Sequence, residues 1–414
     1  MVSPFLPESE KVAAVRAELP ATGAGIYLNT GTAGPLLLVA DAAMRETAER
    51  ELRVGRADPA GWEEVEQRRA EARATVGAIV GAPVGSVALT HCTTDGMNVA
   101  TWAIDWRPGD RAVTSRFEHP GGLGPLLTVR DRLGVDLELA DLGDGGDDVR
   151  TLAALDRAII PGTRLVALSH VAWTNGAVLP IAEIARLAHE RGARIAVDGA
   201  QSAGAIPVDV TALGVDFYAV PGQKWLLGPE GTGALYLDPA SLEAAAQTFA
   251  GWGTYSTCLP DGTADRWPDA RRFETAGFHA PSVAGFARSA GWLAMHVGLA
   301  WVQERGARLA RLAADLLAAV PGVTLLTPRD RMATLVTFRV AGWPAEALRE
   351  ELGRRVFAIT RTIAALDALR ISVGFFNTDE ELRRFVVAVG ELAATTPDRL
   401  PPRPPLAILA ADEG

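Results

Sequence analysis

Two residues, Asp198 and Lys224, have the types and the spacing to serve an organic cofactor. Asp198 ends the apolar run Arg194-Ile-Ala-Val-Asp198, and Lys224 shortly follows the run Asp216-Phe-Tyr-Ala-Val220. A lysine amine can carry pyridoxal phosphate as a Schiff base, while a carboxylate paired with the protonated ring nitrogen keeps the ring able to accept electrons. Neither residue is informative alone. Together they predict a pyridoxal phosphate enzyme.

A second motif could hold the phosphate of that cofactor. Thr94, Asp95 and Gly96 precede a helical run, and the backbone N–H groups at a helix N-terminus bind phosphate, here with help from the Thr94 hydroxyl. Threonine and aspartate also cap ordinary helices. The lysine farther along the chain favours the phosphate interpretation, so we assign these three residues to cofactor binding.

Composition argues against several other classes of protein. The chain has 414 residues and a net charge of −10, without the clustered basic residues that nucleic-acid binding needs. Its two cysteines, Cys92 and Cys258, form no disulfide framework and fit a reducing cytoplasm. We find no signal pattern, no apolar stretch of membrane-spanning length and no histidines at metal-ligand spacing. We therefore expect a cytoplasmic protein with a small-molecule partner and no metal, nucleic acid or membrane.

The apolar pattern predicts an α/β fold. Five short, continuously apolar runs are typical of strands in a doubly wound, mostly parallel sheet; they lie at 87–90, 111–114, 164–169, 194–198 and 216–220. Helical periodicity fills the segments between them, for example at 181–190. Ligands of such sheets bind beyond the carboxyl ends of the strands, which is where Asp198 and Lys224 fall.

After a polar segment at 251–275, long helices and shorter strands replace this pattern. We predict an N-terminal segment at 1–25 and a large cofactor-binding α/β domain at 26–280. A small C-terminal α/β domain follows at 281–396, and a proline-rich tail at 397–414.

The order of the motifs resembles that of the class V aminotransferases, which are fold type I pyridoxal phosphate enzymes, and most of all the bacterial cysteine and cystine C-S lyases. The similarity runs from Tyr27 to Glu381 and includes Glu118-His-Pro-Gly121, Ser169-His-Val-Ala-Trp-Thr-Asn-Gly176, Val197-Asp-Gly-Ala-Gln-Ser-Ala-Gly204, Arg272-Phe-Glu274, and Arg361-Thr-Ile-Ala364 with Arg370. The resemblance implies a homodimer in which loops of one chain complete the site of the other, with 251–280 as the candidate loop.

The resemblance also implies roles around the cofactor ring. His119 would stack on the ring and move protons, so that Lys224, Asp198 and His119 form the catalytic set. Gln201 would donate to the phenolic oxygen of the ring, and Gln223 would contact the cofactor beside the lysine.

For the substrate, Arg361 and Arg370 are candidates to clamp the α-carboxylate. Arg370 lies within an apolar run, where an unpaired charge is costly, and this favours a function over a surface ion pair. Asn175 and Trp252 are the other substrate-binding candidates, and Trp173 is either a pocket or a core residue.

Three positions depart from the pattern of the family. Pro221 and Gln223 stand where relatives usually have a hydroxyl residue and a histidine beside the lysine. Gly277 stands where many relatives supply a threonine to the phosphate of the neighbouring subunit. The resemblance therefore leaves open how the phosphate is held.

The position of the cysteines bears on the reaction. A cysteine desulfurase needs a cysteine on a mobile loop, and none follows Arg370. The resemblance then implies removal of the α-proton by Lys224 and loss of a β-leaving group. Cystine or another S-substituted cysteine would give pyruvate, ammonia and a thiol or persulfide. The alternatives are a class V aminotransferase or an epimerase of a small amino acid, a desulfurase-like enzyme and, last, a non-catalytic binding protein.

Overall fold

The computed structural model of the protein describes residues 3–247, 249–275 and 277–400. The strands in these ranges are β1 Ile26–Tyr27, β2 Val87–Thr90, β3 Arg111–Ser115, β4 Asp136–Ala140, β5 Thr163–Ser169, β6 Arg194–Asp198, β7 Phe217–Pro221, β8 Gly233–Leu237, β9 Tyr255–Cys258, β10 Ala264–Arg266, β11 Val323–Leu325, β12 Leu335–Val340, β13 Ala358–Ile359, β14 Arg361–Ile363 and β15 Ala368–Ser372. The α-helices are α1 Glu8–Ala17, α2 Leu38–Val54, α3 Pro59–Val80, α4 Thr93–Trp102, α5 Pro120–Leu133, α6 Asp148–Ala158, α7 Ile181–Glu190, α8 Val210–Leu213, α9 Pro239–Ala244, α10 Ala280–Gly291, α11 Leu299–Ala318, α12 Ala345–Val356 and α13 Asp379–Ala393.

The largest sheet has seven strands in the order β2-β8-β7-β6-β5-β3-β4. Strand β8 runs antiparallel to both of its neighbours, and the other pairs are parallel. The five predicted strands are confirmed as β2, β3, β5, β6 and β7. Sequence analysis missed β4 and β8, so it also missed that the sheet is mixed at the β2 end.

Side chains that alternate along each strand of this sheet enter two separate cores. Val197 and Tyr218 pack into one hydrophobic cluster, while Ala196 and Phe217 pack into another. Because successive side chains of a strand point to opposite faces, the sheet is covered on both sides. This is the doubly wound arrangement that the continuous apolar runs predict.

The C-terminal part of the chain forms its own hydrophobic core. Its sheet has four antiparallel strands in the order β11-β12-β15-β14, and its core also takes in helices α11 to α13. Ile26 and Leu28 pack into this C-terminal core, and β1 pairs with β13. The limits of the two domains stay a prediction.

The join between the two halves of the chain is helical except at Gly298. Helix α10 continues into a π-helical segment, Trp292–Val297, and α11 begins after Gly298. Of the predicted tail, Pro397–Arg399 forms a single 3-10 turn, and residues 401–414 lie outside the described residues. Among the described helices, none combines the length and the apolar character that a membrane crossing requires.

Candidate active site

The loop that carries Lys224 is closed by backbone hydrogen bonds directly after β7. Gly222 N–H donates to Thr232 O at 2.8 Å, and Gly34 N–H donates to Gln223 O at 2.7 Å. A Cβ added to Gly34 would lie only 2.3 Å from the carbonyl oxygen of Lys224, so only glycine lets the N-terminal loop approach this closely. The lysine is therefore held in a fixed turn at the carboxyl edge of the sheet.

The charge of Lys224 is controlled by its surroundings. Burial lowers the pKa of the Lys224 amine to about 8, Asp198 opposes this shift, and the Arg370 and Arg361 guanidinium groups add to it. A lysine at this pKa supplies a substantial fraction of neutral amine near physiological pH, and only the neutral amine attacks an aldehyde or accepts a proton.

Asp198 is the last residue of β6 and is 5% exposed. Its Oδ1 accepts a hydrogen bond from Ala200 N–H at 2.8 Å. A Cβ added to Gly122 would lie 3.7 Å from Oδ2, so the start of α5 passes beside the second carboxylate oxygen. The predicted partner of the ring nitrogen thus lies at the same sheet edge as Lys224, next to the helix that follows His119.

His119 caps the N-terminus of α5, and Pro120 at the first helical position fixes the start of that helix. The Nδ1 atom of His119 accepts from Gly121 N–H at 3.1 Å. Burial, with the nearby positive charge of Lys224, lowers the pKa of the imidazole. The neutral ring therefore carries its proton on Nε2, because Nδ1 acts as an acceptor.

Helix α4 begins where the sequence predicts a phosphate site. A Cβ added to Gly121 would lie 2.3 Å from Thr94 Oγ1, so the first turns of α4 and α5 meet. The hydroxyl of the preceding residue, Thr93, is buried and has no hydrogen-bond partner among the described residues. The Thr94 hydroxyl and the N-terminus of α4 therefore lie beside the turn that carries His119, and Thr93 adds a second hydroxyl at the start of α4.

The other two predicted phosphate residues serve the helix itself. The Asp95 carboxylate accepts from His91 N–H at 3.1 Å and pairs with the His91 ring at 3.0 Å, so it closes the turn before α4. Gly96 N–H donates to Cys92 O at 3.4 Å. A phosphate contact by Asp95 or Gly96 stays a prediction.

Two glutamines lie near the lysine. Gln201 is buried, donates from Nε2 to Gly31 O at 2.8 Å and accepts at Oε1 from Trp225 Nε1 at 3.0 Å. The Oε1 atom of Gln223 is buried and has no partner among the described residues. An amide oxygen without a partner is costly in a folded interior and is typical of a position completed by a ligand or water.

Arg361 and Arg370 face each other across the β14–β15 pair. Arg370 is 1% exposed; its Nη1 donates to Trp173 O at 2.5 Å, while its Nε and Nη2 lack partners among the described residues. Arg361 donates to Thr32 Oγ1 at 3.1 Å and lies 5.7 Å from the Trp173 ring centre. Within the described part of the chain, neither guanidinium pairs with a carboxylate. The pair therefore presents uncompensated positive charge that suits an anionic substrate group.

Trp173 is half-buried and joins these groups. Besides its contacts with the two arginines, its ring meets His119 edge to face at 5.3 Å between ring centres. Sequence analysis left Trp173 between pocket and core. It gave no role to Glu118, which lies three residues after the end of β3 and directly before His119.

Asn175 and Trp252 are not brought to the lysine within this chain. Asn175 donates from Nδ2 to Asp144 O at 2.7 Å and accepts at Oδ1 from Ala177 N–H at 3.2 Å, so its amide holds a turn. Trp252 is 68% exposed, and its ring packs against Trp62 with ring centres 5.5 Å apart. Their substrate roles stay predictions, and the geometry of Asn175 does not support one.

The residues present fit pyridoxal phosphate. Lys224 supplies an amine of low pKa, Asp198 a buried carboxylate, and the start of α4 two threonine hydroxyls. The unpartnered Oε1 of Gln223 lies next to the lysine in sequence. An amine, a carboxylate and a phosphate-binding helix end are the groups that this cofactor requires.

Comparison with known proteins agrees with this geometry. The aminotransferase class-V family matches residues 26–385. A probable cysteine desulfurase of Xylella fastidiosa is 30% identical over 332 residues, which cover 77% of this chain and 78% of that protein. Isopenicillin N epimerase of Streptomyces clavuligerus is 31% identical over 384 residues, 89% of this chain and 94% of that protein.

Solved structures of one enzyme, the cystine C-S lyase C-DES, superpose closely on the chain. Its complex with the reaction product cysteine persulfide has a TM-score of 0.85 and 28% identity, covering 92% of this chain and 100% of that chain. A C-DES mutant with glycine covalently linked to its PLP cofactor also has a TM-score of 0.85, with 27% identity over 91% of this chain and 99% of that chain. The chain therefore belongs to the class V aminotransferase family and is a pyridoxal phosphate-dependent enzyme of fold type I.

Proposed function

We propose that the protein is a carbon–sulfur β-lyase that converts cystine, or another S-substituted cysteine, to pyruvate, ammonia and a persulfide or thiol. The observation that carries this proposal is the short β14–β15 hairpin, which carries Arg361 and Arg370 and contains no cysteine. A sulfur-accepting route needs a cysteine nucleophile, and an elimination route does not.

The hairpin leaves little chain for a mobile catalytic loop. Arg361 is the register partner of Arg370, and only residues 364–367 connect the two strands. The cysteines of the chain lie elsewhere. Cys92 precedes α4, where burial raises the pKa of its thiol and so disfavours the nucleophilic thiolate. Cys258 is exposed on the β9–β10 hairpin.

The residues of the site divide the work of an elimination. Bound pyridoxal phosphate supplies the electron sink that makes the α-proton of an amino acid acidic. The neutral Lys224 amine is the base for that proton, because burial lowers its pKa to about 8. Asp198 would keep the ring nitrogen protonated. Arg370 and Arg361 would hold the substrate carboxylate and so fix which Cα bond faces the ring.

The relatives support sulfur chemistry but leave room for a second function. The superposed C-DES structure is a cystine C-S lyase, whereas one relative of similar length is an isopenicillin N epimerase. An epimerase must return a proton to the opposite side of Cα. His119, neutral and with its proton on Nε2, is the residue able to do so. Epimerisation is therefore the second candidate function.

One assay panel separates these reactions. The purified enzyme would be given cystine, cysteine and S-alkyl cysteines, and pyruvate, alanine and the enantiomer of each substrate would be measured. Pyruvate without alanine supports the β-lyase. Stoichiometric alanine from cysteine would indicate a desulfurase, alanine from pyruvate and an amino donor would indicate an aminotransferase, and enantiomer alone would indicate an epimerase. Lys224→Ala is the control and should abolish every one of these products.

We also propose a homodimer in the cytoplasm. Phe249, Trp252 and Leu259 are 61%, 68% and 49% exposed, and all three lie in or beside the predicted cross-subunit loop. Contact with a second chain would cover these apolar side chains. Sedimentation velocity should give a dimer, and a fully active monomer would contradict this part of the proposal.

A further inference from the structure

Glu118 makes three hydrogen bonds in the turn that carries His119. Its Oε1 accepts from Ser115 Oγ at 2.6 Å. Its Oε2 accepts from Ser169 N–H at 2.8 Å and from Ser169 Oγ at 2.6 Å. Each acceptor position is met by a short bond, so the side chain has one defined orientation.

These bonds tie together two strand ends at the active edge of the sheet. Ser115 ends β3 and Ser169 ends β5, and Ser169 is the register partner of Asp198 on β6. The residue after Glu118 is His119, whose ring nitrogen caps α5. One carboxylate therefore connects the strand end beside Asp198 to the turn that presents His119.

We propose that Glu118 is a positioning residue that fixes His119 relative to Asp198. With this spacing the His119 imidazole would stack on the face of the cofactor ring while the Asp198 carboxylate pairs with the ring nitrogen. The proposal rests on the proposed function, because it requires that His119 acts at the cofactor. Glu118 itself would touch neither substrate nor cofactor.

Hydrogen bonding, rather than negative charge, is the property that this role needs. Burial, with the nearby charge of Asp198, raises the pKa of Glu118 to about 7, so the group is close to half protonated at neutral pH. A glutamine could keep all three bonds, with its amide oxygen accepting from Ser169 and its NH₂ group donating to Ser115, whose hydroxyl rotates freely. Alanine would lose all three and leave Ser169 N–H without a partner.

The test combines two substitutions at Glu118 with a double-mutant cycle in the holoenzyme. We expect Glu118→Ala to lower pyruvate formation by about tenfold or more, as for a misplaced catalytic group. Glu118→Gln should recover activity to within about threefold of the unmodified enzyme. In a His119→Ala background, Glu118→Ala should cost no more than about twofold, because its partner is already gone.

A second readout does not depend on turnover. The visible circular dichroism of the bound cofactor reports how the ring is held, so it should change in Glu118→Ala and His119→Ala alike and return in Glu118→Gln. If the unmodified enzyme forms no pyruvate, the proposed reaction is wrong. The role of Glu118 is then still tested by the dichroism and by the cofactor dissociation constant of Glu118→Ala, Glu118→Gln, His119→Ala and the double alanine variant.

The matched control is Asp216→Ala, which removes a buried carboxylate that accepts from Ile195 N–H at 2.7 Å and from Ser241 Oγ, directly before β7 and so at the opposite edge of the sheet from Lys224. It should lower thermal stability and combine additively with His119→Ala. The proposal is overturned if the effects of Glu118→Ala and His119→Ala are also additive, because additivity would show only general structural damage. It is equally overturned if Glu118→Gln is as impaired as Glu118→Ala, because that outcome would show a need for negative charge.

Discussion

Replacing Arg370 with methionine should stabilise the substrate-free protein against unfolding and at the same time greatly lower its activity. Arg370 is fully buried without a carboxylate partner among the described residues, and burial together with Arg361 lowers its pKa well below its ordinary value, to about 9. Each pKa unit corresponds to about 1.4 kcal/mol, so holding the charged side chain in the fold costs at most roughly 5 kcal/mol. The lowered pKa means that the unfolded chain holds the proton more tightly. The cost is therefore complete at pH 7 and is relieved only as the pH rises through about 9.

The loss of one hydrogen bond reduces the expected gain in the free energy of unfolding. Methionine cannot donate to Trp173 O, which Arg370 meets at 2.5 Å, and a buried carbonyl without a partner costs about 1–3 kcal/mol. We expect a net gain of at most about 2–4 kcal/mol, which for a chain of this size raises the melting temperature by at most about 2–5 °C. Without the charge-assisted contact to the substrate carboxylate, about 2–5 kcal/mol of transition-state stabilisation should be lost. This corresponds to a fall in kcat/KM of roughly thirty-fold to several thousand-fold.

The assay is thermal unfolding of the holoenzyme at pH 7 together with pyruvate kinetics. Arg361→Met is the matched control on the neighbouring strand; because Arg361 is only partly buried, its loss should change stability by no more than about 0.5 kcal/mol. If Arg370→Met has a lower melting temperature than the unmodified enzyme, the reasoning about the buried charge is refuted. Unchanged kcat/KM would refute the role of Arg370 as the carboxylate clamp.

Four further predictions concern the cofactor and the sulfur route. The rate at which cofactor-free enzyme binds pyridoxal phosphate should rise with pH along a curve whose midpoint lies near pH 8, because only the neutral Lys224 amine reacts. A midpoint near 10.5, the ordinary pKa of lysine, would contradict the lowered pKa of Lys224. Borohydride reduction followed by peptide mass spectrometry should find the cofactor on Lys224, and another lysine would exclude this assignment. Asp198→Asn should fold normally yet lose most turnover, since an amide does not hold a proton on the ring nitrogen; turnover close to that of the unmodified enzyme would show that Asp198 is not the ring partner. Replacing Cys92 and Cys258 together by serine should leave pyruvate formation largely intact, whereas loss of a protein-bound persulfide and of alanine formation in this variant would establish a desulfurase.

The sequence by itself determined the type of sheet and the central pair of the site. Continuous apolar runs predicted strands buried on both faces, and parallel strands end at one edge, so Asp198 and Lys224 were expected at the same edge of the sheet. Strands β4 and β8 escaped because the pattern of β4 is partly exposed and β8 returns antiparallel to its neighbours. No local pattern encodes which strands become neighbours.

Only the tertiary structure decided where individual side chains point. Asn175 and Trp173 are two residues apart in one motif, yet the amide of Asn175 holds a turn while Trp173 joins His119 to the arginines. Glu118 became informative only when strands far apart in the chain brought Ser169 to its carboxylate. Sequence spacing fixes which residues share an edge of the sheet, but side-chain direction depends on hydrogen bonds to residues distant in the chain, and these exist only once the fold has formed.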